Sequence, residues 1–248
     1  MSCLQQVFQC GALLLTVTLG MPSLRPSMQQ IGLEVQSQNA LLETTVPEFE
    51  LHDGTVLDGL WKLARGPVEF GFGFEKVLKT NLSDPEIPDP RFNLHIRDKP
   101  LREVLDALCD ADPRYMWSND GATVNFYPRA IVNDSSYLLN RRFQKFDLKG
   151  ATEVQDGLLA IARQLSPPTV EQIAQAQLGG DDPYPPEPWT LILENVTVRQ
   201  VVNRLAAHGG PRGIWIFGGS KDFRAFGFFN TRPSPWLEKP KESEPRNP

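Results

Sequence analysis

The chain has 248 residues, of which 25 are Lys or Arg and 30 are Asp or Glu, so its net charge is −5. This balance supplies no basic field for binding a nucleic acid or an anionic membrane surface. Hydrophobic residues make up 40% and include 14 Phe and 5 Trp, which excludes a wholly disordered chain, while 19 Gly and 22 Pro predict long loops.

The N-terminus is uncharged as far as Leu24, and Val7 to Met21 is mostly apolar. An apolar run of this length is typical of a secretory signal peptide and is too short to span a membrane. Small residues at Thr18 and Gly20 predict cleavage after Gly20, which makes residues 1–20 a signal peptide and 21–45 a polar lead-in. We expect no integral membrane segment in the mature chain.

The N-terminal region has an alternative interpretation. If translation starts at Met21 or Met28, the protein stays in the cytoplasm.

The cysteines form no internal disulfide under the signal-peptide interpretation. If residues 1–20 are removed, Cys109 is the one cysteine that remains, so it has no cysteine to pair with. The neighbouring Asp110 and Asp112 would raise its pKa, and we expect a buried, unreactive thiol.

The first unit of the fold is predicted from the local pattern. Thr55 stands at a helix start, and the apolar residues that follow it have the spacing of a helix. In residues 68–74, Val68 and three phenylalanines alternate with Glu69, Gly71 and Gly73, as in a strand. After a Pro-rich loop, an alternating strand leads into a helix with apolar residues at Leu101, Val104, Leu105 and Leu108, and a hairpin follows around Gly121.

The second unit repeats this pattern. Residues 92–108 align without a gap on 189–205 at an offset of 97, and Arg102 falls on Arg199. One segment differs, because Thr169 to Gln177 predicts a helix where the first unit has the strand at 68–74.

We therefore predict an α+β fold of tandem β-α-β-β-α-β-β units, each with two helices packed on small mixed sheets. The units occupy residues 46–130 and 141–231, and 232–248 form a disordered Pro-rich tail.

The core positions resemble a known family. Thr55-Val-Leu57, Pro100-Leu101, Glu103 to Leu108 and the hairpin from Tyr115 to Pro128 resemble the secretin/TonB short N-terminal domain, called STN or N0-like. The match covers about residues 47–129, with a more diverged match at 144–230. It implies a periplasmic docking module, but no partner-binding residue carries over, because the family pattern consists of core positions.

Groups that could carry out chemistry are few. The sequence has no spacing typical of metal ligands, a nucleophile elbow or a phosphate loop. His52 and His95 lie on predicted strands opposite the apolar positions, and His208 lies at a helix end, so we expect structural roles for all three. We expect no enzymatic activity, no catalytic residue, no metal site and no cofactor.

Two Phe-rich strands leave two interpretations open. Their aromatic residues either form the core or belong to edge strands open to a partner, with Gly71 and Gly73 allowing close backbone approach. We take five of them as candidate partner-binding residues: Phe70, Phe72, Phe74, Phe226 and Phe228.

Together these features predict an exported, non-enzymatic interaction module, an adaptor or assembly factor in the periplasm or at the outer membrane. Its expected partner is a protein of the cell envelope, such as a secretin, pilus or TonB-system component. The alternative is a periplasmic binding protein for a peptide or small ligand, held in a groove between the two units and by the Pro-rich loops.

Overall fold

The computed structural model describes residues 40–66, 68, 70–79, 83–85, 87–121, 123–165, 173–179, 188–208, 213–220 and 224–230. The predicted signal peptide, most of the lead-in and the predicted tail lie outside the described residues. Among those described, helices and strands are mixed in small sheets, which confirms the predicted α+β class. No helix of the described part is long and apolar enough to cross a membrane.

The elements of the first half are, in chain order, β1 (Thr45–Gly54), α1 (Val56–Ala64), β2 (Gly71–Glu75), β3 (Phe92–Pro100), α2 (Leu101–Ala111), β4 (Tyr115–Asp120) and β5 (Thr123–Pro128). Two 3₁₀ turns, Arg129–Ile131 and Leu138–Asn140, lead into the second half. That half contains β6 (Arg142–Ala151), α3 (Val154–Gln164), β7 (Ile173–Gly179), β8 (Trp189–Thr197), α4 (Val198–His208), β9 (Gly213–Gly219) and β10 (Arg224–Asn230).

The strands form three sheets. β1 pairs with β3 and β6 with β8, both antiparallel. The other six strands form one mixed sheet in the order β4-β5-β2-β9-β10-β7, to which each half contributes three adjacent strands. The halves join where β2 and β9 pair in parallel. The largest sheet is therefore shared by the two halves.

Each face of the shared sheet carries its own hydrophobic core. Neighbouring residues of a strand point to opposite faces, so Ile214 of β9 packs in the first core, whereas Trp215 and Phe217 pack in the second. The first core includes α1 and α2, and the second includes α3 and α4. The helices of the two halves thus cover opposite faces of one sheet.

Backbone details recur between the halves at the offset seen in the sequence. Asp98 and Asn195 both have positive φ, at 51° and 54°. Phe49 pairs with Ile96 in one two-stranded sheet, and Phe146 pairs with Leu193 in the other. That the halves are copies of one module stays a prediction, and these correspondences support it.

Helix starts follow the capping residues. Thr55 caps α1 in a reciprocal capping box with Asp58. In the second half the sequence places Thr152 at the corresponding helix start, and the cap residue is its neighbour Glu153; Oδ2 of Asp156 accepts hydrogen bonds from the backbone amides of both residues. The expected helix starts are therefore close to those observed.

The helix predicted between Thr169 and Gln177 is wrong over the described residues. Ile173–Gly179 forms β7, which pairs in parallel with β10. Helix propensity is a weak preference that tertiary pairing overrides, and here pairing to β10 decides the conformation. Residues 169–172 lie outside the described part.

Cys109 provides a test of the packing of α2. The thiol is free and buried, as predicted. Burial is the main cause that raises the pKa of this thiol from 9.0 to about 12, and the Asp106 carboxylate adds to the rise.

The reactivity of Cys109 tests this placement. Because only the thiolate reacts, we expect iodoacetamide at pH 8 to modify Cys109 about 10³-fold more slowly in native protein than in urea-unfolded protein. Mass spectrometry of the Cys109 peptide measures both rates, and equal rates would contradict the buried placement.

Candidate functional site

The five aromatic residues expected to bind a partner are buried. Phe70, Phe72 and Phe74 belong to the first core, and Phe226 and Phe228 belong to the second, with none more than 5% exposed. β2 is paired on both sides by β5 and β9, and β10 is paired on both sides by β9 and β7. The structure therefore favours the core interpretation, and the expectation of an open edge at these strands is wrong.

The close backbone approach expected at Gly71 and Gly73 does occur, and the approaching strand is β9 of the same chain. A Cβ on Gly71 would lie 2.6 Å from the carbonyl oxygen of Gly213, and one on Gly73 would lie 2.3 Å from the indole of Trp215. Real Cβ atoms do not approach other atoms so closely. Glycine at both positions therefore permits the junction between the halves.

Hydrogen bonds hold Trp215 in place at this junction. Its Nε1 donates to Oδ1 of Asn203 on α4 at 2.7 Å. Asn203 in turn donates through Nδ2 to Oδ2 of Asp120, at the end of β4, at 2.9 Å. A helix of the second half is thereby tied to a strand of the first.

A buried ion pair lies beside these hydrogen bonds. Glu75 of β2 is fully buried and accepts two hydrogen bonds from the guanidinium of Arg199 on α4, one of them at 3.1 Å. Arg199 also donates to Oδ1 of Asn140 at 2.9 Å and lies 4.7 Å from the ring centroid of Tyr127. Burial raises the pKa of Glu75, and the Arg199 guanidinium offsets part of that rise. The two charges satisfy each other, so the pair holds the halves together.

The sequence contained a partial signal for this pair. The alignment placed Arg102 on Arg199, but it did not indicate that one arginine would be enclosed and the other exposed. Glu75 directly follows the Phe-rich segment 68–74, and nothing in the local sequence indicates that its carboxylate is buried. Its role depends on a helix more than 100 residues away in the chain.

β4 occupies in the first half the place that β9 occupies in the second, but no described strand pairs with its outer edge. Trp117 donates through Nε1 to Oδ1 of Asp106 at 2.8 Å, as Trp215 donates to Asn203. β4 pairs with β5 and with no other described strand. Trp117 is consequently only partly buried, whereas Trp215, which β2 covers, is 0% exposed.

Arg102 lies at the start of the helix behind this edge and corresponds to Arg199. It is half exposed and pairs with Glu43, which stands 97 residues before Asn140, a partner of Arg199. The described residues give Arg102 no counterpart of Glu75. We call β4 together with Trp117 and Arg102 the β4 edge, and we take it as the candidate functional site.

The remaining polar groups have structural surroundings. His52 and His95 are exposed on β1 and β3, opposite the buried positions. The ring of His208 stacks on Trp189 with centroids 4.0 Å apart. Within the described part, no group of three or more His, Cys, Asp or Glu side chains could hold a metal ion.

A scan against protein-family models finds no match to the chain, and searches of curated proteins and of solved structures find none either. The resemblance to the STN family therefore stays a prediction based on the residues that carry it.

Proposed function

We propose that the protein is an exported, non-enzymatic docking module of the cell envelope, which binds an extended segment of a partner protein at the β4 edge. The observation that supports this proposal is the repetition of one strand-binding arrangement. β9 holds β2 against Trp215, and β4 presents Trp117 in the same setting with no described strand on its outer side, opposite β5.

The β4 edge has the chemistry needed to bind a strand. An added strand gains affinity from main-chain hydrogen bonds and specificity from its alternate side chains. Lys and Pro commonly protect exposed edges from such pairing, and β4, with the sequence Tyr-Met-Trp-Ser-Asn-Asp, contains neither. Close approach at Trp117 favours a segment with glycine at the facing position, as Gly73 faces Trp215.

The predicted signal peptide places this module outside the cytoplasm, where the envelope partners implied by the STN resemblance are located. A secretin, pilus or TonB-system component fits that compartment. The proposed role is that of an adaptor or assembly factor, with no reaction to catalyse.

In-cell photocrosslinking tests the proposal. A photoreactive amino acid at position 118, in place of Ser118, should form an adduct with an extended segment of an envelope protein, because the residue lies on β4. The same amino acid in place of His95, which is exposed on β3, serves as the control and should form none. In a background of Trp117→Ala, the yield at position 118 should fall at least tenfold.

Three results would overturn the proposal. They are no adduct at position 118, equal adducts at positions 118 and 95, or adducts confined to cytosolic proteins. A fusion of residues 1–30 to a reporter enzyme that is active only after export tests the localisation separately, and an inactive fusion would contradict export.

Ligand binding remains the second candidate, at an open surface depression of about 430 Å³ lined by Val77, Arg114, Pro128, Arg129 and Ala130. This depression lies within the first half. The expected groove between the units is filled where β2 pairs with β9. Under this alternative, a panel of peptides and metabolites should raise the melting temperature of the protein, and a flat panel would count against it.

A further inference from the structure

The lead-in contains the sequence pattern that β2 uses at the junction. In β2 the pattern is Phe72-Gly-Phe-Glu75, and in the lead-in it is Ile31-Gly-Leu-Glu34. Both segments have a glycine between two apolar residues, followed directly by a glutamate. We propose that the β4 edge is a binding site for a parallel strand of this pattern, and that residues 31–35 are its occupant. This inference goes beyond the proposed function: residues 31–35 occupy the β4 edge in the free protein, and a partner segment binds there in their place.

The glycine of the pattern fits the indole at the edge. Gly73 lies against Trp215, where a Cβ would stand 2.3 Å from the ring. With the same parallel pairing on β4, Gly32 lies against Trp117, which corresponds to Trp215. The added strand would cover the exposed part of the Trp117 ring, as β2 covers Trp215.

The glutamate of the pattern fits the arginine behind the edge. Glu75 pairs with Arg199 at the junction, and Arg102 is the counterpart of Arg199 in the first half. In the docked register Glu34 takes the place of Glu75 beside Arg102. Because Arg102 is half exposed and its described carboxylate partner is Glu43 alone, it has room for a second carboxylate.

The described chain begins near the C-terminal end of β4, which is the end that a parallel strand formed by residues 31–35 would reach last. The amide of Leu101, at the start of α2, donates to the carbonyl of Thr44, and Arg102 pairs with Glu43, so the chain lies beside Arg102 a few residues after the described part begins at residue 40. Trp117 contacts the middle of α2 at Asp106, so the end of β4 lies near the start of that helix. A strand parallel to β4 finishes at this end, and the five peptide steps from residue 35 to residue 40 can span about 17 Å.

Other segments of this chain fit the β4 edge less well. One such segment is β7 of a second copy of the chain, which is the edge strand at the opposite end of the sheet. In β7 the position that corresponds to Gly73 is Gln177, because Gln177 pairs with Gly227 of β10 as Gly73 pairs with Asn125 of β5. A residue with a Cβ there would collide with Trp117. Residues 232–248 contain no glycine and five prolines, which cannot donate backbone hydrogen bonds to a strand.

Hydrogen exchange of the full chain tests the inference. The amides of β4 should exchange at least tenfold faster in Gly32→Val than in the unmodified chain, because the valine side chain would collide with Trp117. Ser37→Val places the same side chain in the lead-in outside the pattern, and it should leave the exchange of β4 unchanged. Equal exchange in the Gly32→Val variant and the unmodified chain would overturn the inference.

A charge-reversal pair gives an independent readout. Glu34→Arg and Arg102→Glu should each accelerate β4 exchange, and their combination should restore protection. Loss of protection in both single variants without recovery in the double variant would overturn the proposed contact between these two residues.

The two proposals can fail separately. If position 118 forms adducts with an envelope protein while β4 exchange is independent of Gly32, the docking function stands and the added strand is overturned. If β4 exchange depends on Gly32 but position 118 forms no adduct, even in the Gly32→Val background, the added strand stands and the docking function is overturned.

Discussion

Replacing Gly73 with valine is expected to lower the free energy of unfolding by about 3 kcal/mol, the upper part of the range for overpacking a core. Even the first carbon of the new side chain would lie 2.3 Å from the Trp215 indole. Trp215 cannot move freely, because it is fully buried and hydrogen-bonded to Asn203. The β2–β9 junction must therefore open, and urea unfolding followed by tryptophan fluorescence measures the loss.

Gly218→Ala is the matched control within β9. The nearest atom to a Cβ there is Cδ of Lys76 at 3.3 Å, the flexible part of a side chain, so the change should stay within about 0.5 kcal/mol. In a double-mutant cycle, Gly73→Ala should cost less in a Trp215→Ala background, by at least about 1 kcal/mol, because the clashing ring is gone. Additive costs would show that the junction does not depend on this contact.

Much of the fold follows from local sequence patterns. The spacing of Leu101, Val104, Leu105 and Leu108 predicts α2, and these four side chains are fully buried. Thr55 predicts the start of α1, which the capping box confirms. Such signals depend on residues a few positions apart, and a single sequence displays them directly.

The shared sheet could not be predicted in the same way. The alternation of phenylalanine and glycine in β2 indicates close backbone approach, but it does not identify the approaching strand. The strand is β9, which follows about 140 residues later, and its Trp215 fills the space above Gly73. The same glycines are compatible with an edge open to another protein, and this ambiguity produced the wrong expectation for Phe70 to Phe74.

The exposure of the residues in the candidate site could not be predicted from the sequence either. Trp117 and Trp215 have equivalent hydrogen bonds, and Arg102 and Arg199 align in the sequence. Only the arrangement of strands distinguishes the exposed member of each pair from the buried one. The alignment therefore showed which residues correspond, and the structure showed which of them remain accessible.

Replacing Arg199 with methionine is expected to lower the free energy of unfolding by about 3–5 kcal/mol at pH 7, because it leaves the fully buried Glu75 carboxylate without its counter-ion. Arg102→Met is the matched control at the corresponding position. That arginine is half exposed and pairs with a half-exposed Glu43, so its loss should cost no more than about 1 kcal/mol.

The pH dependence of the Arg199→Met variant identifies the cause. Burial already raises the pKa of Glu75, and removing the Arg199 guanidinium takes away the largest opposing contributions, so the pKa rises further. A carboxyl whose pKa is higher in the folded than in the unfolded protein stabilises the fold fully below its unfolded pKa of roughly 4.3, and this stabilisation is lost as the pH rises through the folded pKa. The difference between the unmodified protein and the variant should therefore be smaller at pH 4.5 than at pH 7.

A double variant, Glu75→Met with Arg199→Met, distinguishes two causes of the stability loss: the unpaired Glu75 carboxylate and the lost contacts of the Arg199 side chain. It should recover most of the stability at pH 7, since two apolar side chains of similar length leave no buried charge behind. Urea unfolding at both pH values measures all four proteins. A loss in Arg199→Met that equals the loss in Arg102→Met, or that grows as the pH falls, would contradict the structural role assigned to the buried pair.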